Sequence, residues 1–468
     1  MIEIKNKKIL LLGLGLHGGG VATARWLHKN GAKLVISDLK KKSVLSHSIE
    51  KLAKHKSIKY VLGKHKERDV KWADYIVYNP GVPKESKYLQ LARRLNKPVY
   101  NEASLFFDRC KAQIIAVTGT RGKSTTSALI ASMCEKKNKR TILAGNIKTS
   151  FMLDVVDRAT KNDLVVLELS SWQLEGLNIV RGTPHVAVVT NLYPDHLNRY
   201  RNLTNYYCSK KEIFKHQDED RFIILNDEDN IVRDWQKEAC SRTFLFSKKN
   251  HKGHGAYVQN NKIKFALENK REVIASVKDI KLEGMHNLEN VLAAITAAKI
   301  YGVANSQIKK ALNTELILEG RQEVISVKRG ITFVNDTTAT TPVAGIAALQ
   351  RFGNKKKNII LIAGGADKKL DYYDWSKEVK KYCKQVFLLK GDASIKQEKA
   401  LKKFRNLDTN HTSMSVIAEK ALEQAKKGNI ILLSPAAASF NLWQHEFERG
   451  DDFVKAVNLN QNNDSTKK

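Results

Sequence analysis

Lys123, Ser124 and Thr125 stand behind two glycines in Ala116-Val-Thr-Gly-Thr-Arg-Gly-Lys-Ser-Thr-Thr126, between an apolar run and a helical one. A lysine there neutralises the β- and γ-phosphates of a nucleoside triphosphate, and the hydroxyl of Ser124 or Thr125 can meet Mg²⁺. Backbone N–H groups of Gly119, Thr120 and Gly122 and the dipole of the following helix can receive the phosphates. Only Thr120 and Arg121 separate the two glycines, where the usual loop has about four residues. A second set lies further on. Glu168 closes an apolar run and opens Glu168-Leu-Ser-Ser-Trp-Gln-Leu-Glu175, and Asn191 leads into Tyr193-Pro-Asp-His-Leu-Asn-Arg-Tyr200. A carboxylate and the imidazole of His196, converging on the loop hydroxyls, could hold one or two Mg²⁺ ions. A third set is N-terminal: Gly13-Leu-Gly15-Leu-His-Gly18, with Asp38 about 20 residues on, has the spacing of a dinucleotide fingerprint.

These groups need strands and helices to hold them. Lys8-Ile-Leu-Leu-Leu12, Lys33-Leu-Val-Ile-Ser37 and Tyr75-Ile-Val-Tyr78 read as strands of a first segment complete near Asp108, with a helix from Val21 to Lys29. Gln113–Val117, Leu164–Glu168, Val186–Thr190 and Phe222–Leu225 read as buried strands of a second segment. A small antiparallel appendage is expected between Phe244 and Ile280, then an alanine-rich helix from Asn287 to Ile300. The third segment starts near Glu319 and contains Ile331–Asn335, Asn358–Ala363, Val386–Leu389 and Ile430–Leu433. Strands alternating with helices imply parallel sheets, so the expected class is α/β in three domains.

At 468 residues the chain is too long for one core. No apolar run approaches the ~18 residues of a membrane span, so no membrane is expected. Lys5 to Lys8, Ile9–Leu12 and Ala22-Thr-Ala24 imitate a signal peptide, but the same residues make a better strand-turn-helix. Five cysteines without a C-x-x-C pair argue against a disulfide framework or a zinc site, and fit a reducing cytoplasm. The formal charge of +33 is spread through every segment, which reads as a solvated lysine-rich surface and implies no obligate nucleic acid.

Thr118-Gly-Thr-Arg-Gly-Lys-Ser-Thr125, Gly145-Asn-Ile147, Glu168-Leu-Ser-Ser-Trp-Gln173, Asp195-His196, Gly284-Met-His-Asn-Leu-Glu-Asn290 and Asp336-Thr-Thr-Ala-Thr340 together resemble the Mur ligases, ATP-dependent peptide synthetases of cell-wall precursor assembly. The short glycine spacing is that family's own. Gly13-Leu-Gly-Leu16, Asn79-Pro-Gly-Val-Pro83, Leu433-Ser-Pro-Ala-Ala-Ala-Ser439 and Glu448-Arg-Gly450 point within it to the branch that adds D-glutamate. The resemblance implies a Rossmann-like UDP-sugar domain over residues 1–108, a central P-loop ATP domain over 109–318, and a Rossmann-like amino-acid domain over 319–468. It further implies a cytoplasmic monomer that joins D-glutamate to UDP-N-acetylmuramoyl-L-alanine through an acyl phosphate, with ATP and two Mg²⁺.

The resemblance also carries site residues over by position. Gly15, Leu16, His17, Asp38 and Gly81 fall in the UDP pocket, with no nicotinamide, and Asn146 and Ser170 at the muramoyl-alanine end. Lys123 contacts phosphates, Ser124 and Glu168 serve one Mg²⁺, and His196 a second. The pattern Y-x-x-x-K-x-x-I-F, here Tyr206 to Phe214, places a carbamylated lysine at Lys210, with Lys211 one residue away. Asn287 and Asn290 share a helix face suited to adenine, and Arg321 and Asp336 grip ATP as the third domain closes. Thr340, Lys368, Ser439 and Phe447 receive D-glutamate, Phe447 competing with Glu446 for the aromatic wall. Thr338 stands where the family often has lysine. The rivals are another Mur-type or folylpolyglutamate-type amino-acid ligase, a basic nucleic-acid-binding ATPase, and a nicotinamide oxidoreductase read from the first glycine loop alone.

Overall fold

The computed structural model describes residues 1–135, 139–147, 150–195, 199–251, 253–282, 285–314, 316, 318–443 and 445–462. Two compact units divide the chain, Met1–Glu315 and Leu316–Lys468. Three large sheets, two in the first unit and one in the second, give it a three-domain α/β architecture.

The first sheet is parallel, with β1 (Lys8–Leu12), β2 (Lys33–Asp38), β3 (Lys59–Leu62), β4 (Tyr75–Tyr78) and β5 (Val99–Asn101) in the order β3-β2-β1-β4-β5. Chain order reverses between β1 and β4, which opens a crevice at their carboxyl ends. The glycine loop after β1 lines it. Gly20 is obligatory there, because a Cβ would lie 2.0 Å from the Leu14 carbonyl oxygen where the helix Gly19–Lys29 packs on the strand.

The second sheet is also parallel: β6 (Gln113–Thr118), β7 (Thr141–Gly145), β8 (Leu164–Glu168), β9 (Val186–Val189), β10 (Phe222–Asn226) and β11 (Arg242–Phe246), in the order β11-β10-β9-β6-β8-β7. β6 is central, so both its faces are covered and Ile114-Ile-Ala-Val117 is uniformly apolar. Register sets Val117 beside Glu168 and Thr118 beside Val189, which brings the loops after β6, β8 and β9 to one edge. β12 (Gly255–Gln259), β13 (Lys262–Leu267) and β14 (Lys270–Ser276) form the expected antiparallel appendage.

The second unit holds β15 (Glu323–Lys328), β16 (Ile331–Asn335), β17 (Ile359–Gly364), β18 (Cys383–Leu389), β19 (Leu407–His411) and β20 (Ile430–Leu433), ordered β15-β16-β20-β17-β18-β19. All pairs are parallel except β15 with β16. The strand spans expected from sequence shift by a residue or two at several ends. Six strands went unread: β3, β5, β7, β11, β15 and β19, all at sheet edges. An edge strand buries less than a central one, so its residues mix polar with apolar and lose the signal, as in Leu407-Asp-Thr-Asn-His411.

Candidate active site

The phosphate loop is built by close approach. Gly119 has φ 142°, and a Cβ there would meet Thr190 Oγ1 at 1.9 Å. Gly122 caps the helix Lys123–Cys134 at φ 80°, and a Cβ there would meet Asn290 Oδ1 at 2.1 Å. No side chain caps that helix, so its first N–H groups suit an anion. The loop is anchored from β9: Thr120 N donates to the Asn191 carbonyl at 2.9 Å, Arg121 N to Asn191 Oδ1 at 2.8 Å, and Thr190 Oγ1 to the Arg121 carbonyl at 2.6 Å. Arg121 also pairs with Asp195 at 3.2 Å. Lys123 curls over the loop, its Nζ donating to the carbonyls of Gly119 at 3.1 Å and Thr120 at 3.2 Å.

Beside the loop, Ser124 Oγ donates to Glu168 Oε2 at 2.5 Å, and Asn146 Nδ2 to Glu168 Oε1 at 3.2 Å. Glu168 is thus a buried carboxylate facing two neutral donors. No group of three His, Cys, Asp or Glu side chains able to hold a metal occurs among the described residues. Mg²⁺ needs only one or two carboxylates beside phosphate oxygens and water, so the hard oxygens of Ser124 and Glu168 fit it. His196 lies outside the described residues. Thr125 follows Ser124 in the first turn of the same helix.

The helix Leu203–Lys211 separates its two lysines. Tyr206 and Lys210, four apart, share the face toward the loop. The Tyr206 hydroxyl lies 3.1 Å from Thr120 Oγ1, and the buried Lys210 Nζ donates to the Gly119 carbonyl at 2.9 Å. Burial, and then the neighbouring Lys123, push the Lys210 amine well below the usual lysine range. Lys211 turns away and pairs with Glu238 at 2.6 Å. Asn287 and Asn290 are buried on the helix Met285–Ile300; Asn290 donates to Asn287 at 3.2 Å and accepts from Thr126 at 3.3 Å. They therefore lie behind the phosphate loop.

At the first sheet, Asp38 acts on the loop itself. Its Oδ2 accepts from Leu14 N at 2.9 Å and Gly15 N at 3.0 Å, and its Oδ1 from Lys40 N at 2.8 Å. Asn79, after β4, packs against Gly13 and Gly15, and its Oδ1 accepts from Gly81 N at 3.0 Å. Leu16, half-buried, and His17, exposed, lead to Gly18, at φ 89°, which starts a helix with no side-chain cap. The first sheet thus presents a second uncapped helix start. Arg199, which spacing did not single out, stacks on Trp172 at 4.6 Å and donates to the Gly81 and Val82 carbonyls at 3.2 Å each.

In the second unit, the loops after β16, β17 and β20 adjoin because those strands are neighbours. Lys368 Nζ donates to Thr340 Oγ1 at 3.2 Å, and paired backbone hydrogen bonds between Ala366 and Ala438 set Ser439 beside them. The Ser439 hydroxyl is buried with no hydrogen-bond partner among the described residues. Thr338 N and Oγ1 both donate to the Gly320 carbonyl, at 3.0 and 2.9 Å. Arg449, which the sequence marks only as part of the Glu448-Arg-Gly450 motif, is fully buried and ties two loops together through Thr337 O at 2.8 Å, Thr337 Oγ1 at 3.2 Å and Ala437 O at 3.1 Å. Phe447 sits at the start of the helix Glu446–Asn462, its ring 6.3 Å from that of His445.

Asp336 accepts from Ser434 Oγ at 2.7 Å and Gln322 N at 3.1 Å, while Arg321 is exposed nearby. Burial outweighs these bonds and pushes the Asp336 carboxyl up to about 7 from 3.8. The folded chain keeps this proton where the unfolded chain has lost it. Its contribution to stability is full below about pH 4 and disappears as pH rises through about 7. Asp336→Asn is therefore expected to flatten that decline, by up to about 1.4 kcal/mol per pH unit, in denaturant melts taken across the range. An unchanged slope would place the titration elsewhere.

Three family models match in succession: the Mur ligase MurD-like N-terminal domain over residues 7–101, the Mur ligase middle domain over 117–298, and the Mur ligase glutamate ligase domain over 320–437. The UDP-N-acetylmuramoylalanine--D-glutamate ligase of Roseiflexus sp. (strain RS-1) is 36% identical, over 97% of this chain and 99% of its own. The enzyme so named from Clostridioides difficile (strain 630) is 33% identical, over 98% and 99%. The chain belongs to the Mur ligase family. Among solved structures, UDP-N-acetylmuramate-alanine ligase MurC from Thermotoga maritima superposes with a TM-score of 0.64 at 20% identity, covering 97% of this chain and 100% of that one. MurF ligase from the same organism, in complex with ADP, gives 0.57 at 17% identity, covering 98% and 96%. At such identities these show a shared fold. In this Mur ligase the structure gathers Gly119, Thr120, Gly122, Lys123, Ser124, Glu168, Asn146, Lys210 and Asn290 around one loop. The second unit separately gathers Thr340, Lys368 and Ser439. No helix among the described residues is long and apolar enough to cross a membrane.

Proposed function

We propose that this chain is an ATP-dependent ligase that adds D-glutamate to UDP-N-acetylmuramoyl-L-alanine in peptidoglycan precursor synthesis, the activity named for its relatives. The observation that carries the chemistry is the corner where Ser124 meets Glu168 at 2.5 Å, at an uncapped helix start, with the amine of Lys210 buried behind the loop. We place the domain borders at 108/109 and 318/319.

The reaction joins two anions, so neutralising charge is the main task. The substrate carboxylate attacks the γ-phosphorus, forming an O–P bond as the bond to ADP breaks. The D-glutamate amine then attacks the acyl carbon, forming the amide and releasing phosphate. Lys123, with Gly119, Thr120, Gly122 and Thr125, holds the phosphates; Asn287 and Asn290 face the adenine, and Arg321 and Asp336 contact ATP. Ser124 and Glu168, with His196 and Lys210 for a second ion, would hold Mg²⁺, whose charge offsets the repulsion between the reacting anions. Lys210 is carbamylated in this reading: a neutral amine adds to CO₂, an N–C bond forms, a proton leaves, and a cation becomes an anion. Its burial beside Lys123, which favours the neutral amine, supports this.

Gly15, Leu16, His17, Asp38 and Gly81 shape the UDP pocket, and Asn146 and Ser170 meet the muramoyl-alanine end. Lys368 meets a D-glutamate carboxylate alongside Thr340 and Ser439, with Phe447 as the wall. The reading needs one chain, no nucleic acid and no membrane, and places it in the cytoplasm with its nucleotide substrates. Phosphate release with ATP, UDP-N-acetylmuramoyl-L-alanine and a panel of amino acids tests it. D-glutamate is expected to stimulate release by at least about a hundredfold over the others; stimulation by a different amino acid instead would assign another acceptor.

A further inference from the structure

Glu102 opens the helix Glu102–Arg109, directly after the Asn101 cap, and its side chain is buried. Its Oε1 accepts from Gln173 Nε2 at 2.6 Å. Its Oε2 lies 3.2 Å from where a Cβ on Gly19 would stand, at the start of the first glycine helix. Gln173 passes the contact onward. Its Oε1 accepts from the backbone N–H and the hydroxyl of Ser170, each at 2.9 Å, and its own N–H donates back to Ser170 Oγ at 3.3 Å.

Chemistry sets the sense of every bond in this chain. A backbone N–H can only donate, so Gln173 Oε1 must face Ser170 and its NH₂ must face Glu102. Ser170 Oγ accepts the Gln173 N–H and gives its single hydrogen to Gln173 Oε1, 2.9 Å away. What Ser170 has left for a ligand is a lone pair. We propose that Glu102 is a positioning residue which, through Gln173, makes Ser170 an acceptor only, selecting the amide N–H that joins alanine to the muramoyl group. This rests on the muramoyl-alanine reading of Ser170 and goes beyond it by naming the group recognised. Burial pushes the Glu102 carboxyl above the usual carboxylate range.

The test is calorimetric binding of UDP-N-acetylmuramoyl-L-alanine and of its analogue with an ester in place of that amide, to the wild-type chain and to Glu102→Leu, which has no oxygen to accept from Gln173, and Ser170→Ala. The wild type is expected to bind the ester about tenfold more weakly, for loss of one hydrogen bond. Both variants are expected to bind the amide about tenfold more weakly and to lose the discrimination, while nucleotide affinity holds within about twofold. Equal binding of amide and ester by the wild type would overturn the inference, and needs no variant to fold. Equal loss of nucleotide affinity in Glu102→Leu would also overturn it, by reducing Glu102 to a packing role. A wild-type chain that binds neither compound would instead sink the functional reading.

Discussion

Replacing Lys210 with alanine is expected to lower ligase turnover by about a thousandfold, and short-chain carboxylic acids are expected to restore part of it. The cavity left behind Gly119 is buried, so a small carboxylate entering it would stand where the carbamate group ends. Lys211→Ala serves as the control. That side chain pairs with Glu238 at 2.6 Å, away from the loop, and its loss is expected to change turnover less than threefold. Full activity of Lys210→Ala, or a deep loss that no carboxylate relieves, would remove the carbamate; the first would also remove Lys210 from the site.

Lys123→Met is expected to reduce kcat/KM for ATP by about a thousandfold or more, while binding of the UDP-sugar stays within about twofold. The Lys123 ammonium donates to the Gly119 and Thr120 carbonyls, at 3.1 and 3.2 Å. Those are weak neutral acceptors, so a γ-phosphate oxygen would draw it off them with a stronger charge-assisted bond. Single-turnover phosphate release and UDP-sugar calorimetry on the same preparation check this. Retention of turnover within tenfold would mean that the loop N–H groups suffice.

What could be read from sequence was local. The phosphate loop declares itself because Gly119, Gly122 and Lys123 stand together at the start of a helix, and central strands such as β6 carry an unbroken apolar run, here Ile114 to Val117. Lys210 and Lys211 could not be separated that way, since both fit a helix equally. Their difference is made by distant partners, Gly119, 91 positions away, for one and Glu238, 27 away, for the other. Glu102 was silent for the same reason: its partner Gln173 is 71 positions away, across the step from one sheet to the next. Arg449 carried only a motif match until its three acceptors from two loops were placed around it. Asp38 was legible in position, though its use was not. The resemblance puts it in the UDP pocket, and its oxygens accept from the backbone of Leu14, Gly15 and Lys40.

That use of Asp38 bears on the economy of binding. A glycine-rich segment is the most expensive kind of chain to immobilise, because it has the most conformations to surrender. Here the carboxylate has already taken that freedom away during folding. If a nucleotide binds at the first sheet as proposed, it meets a seat already held in shape, and its contact energy goes into affinity instead of into stilling the loop. Asp38 can thus govern how tightly a ligand is held without touching it.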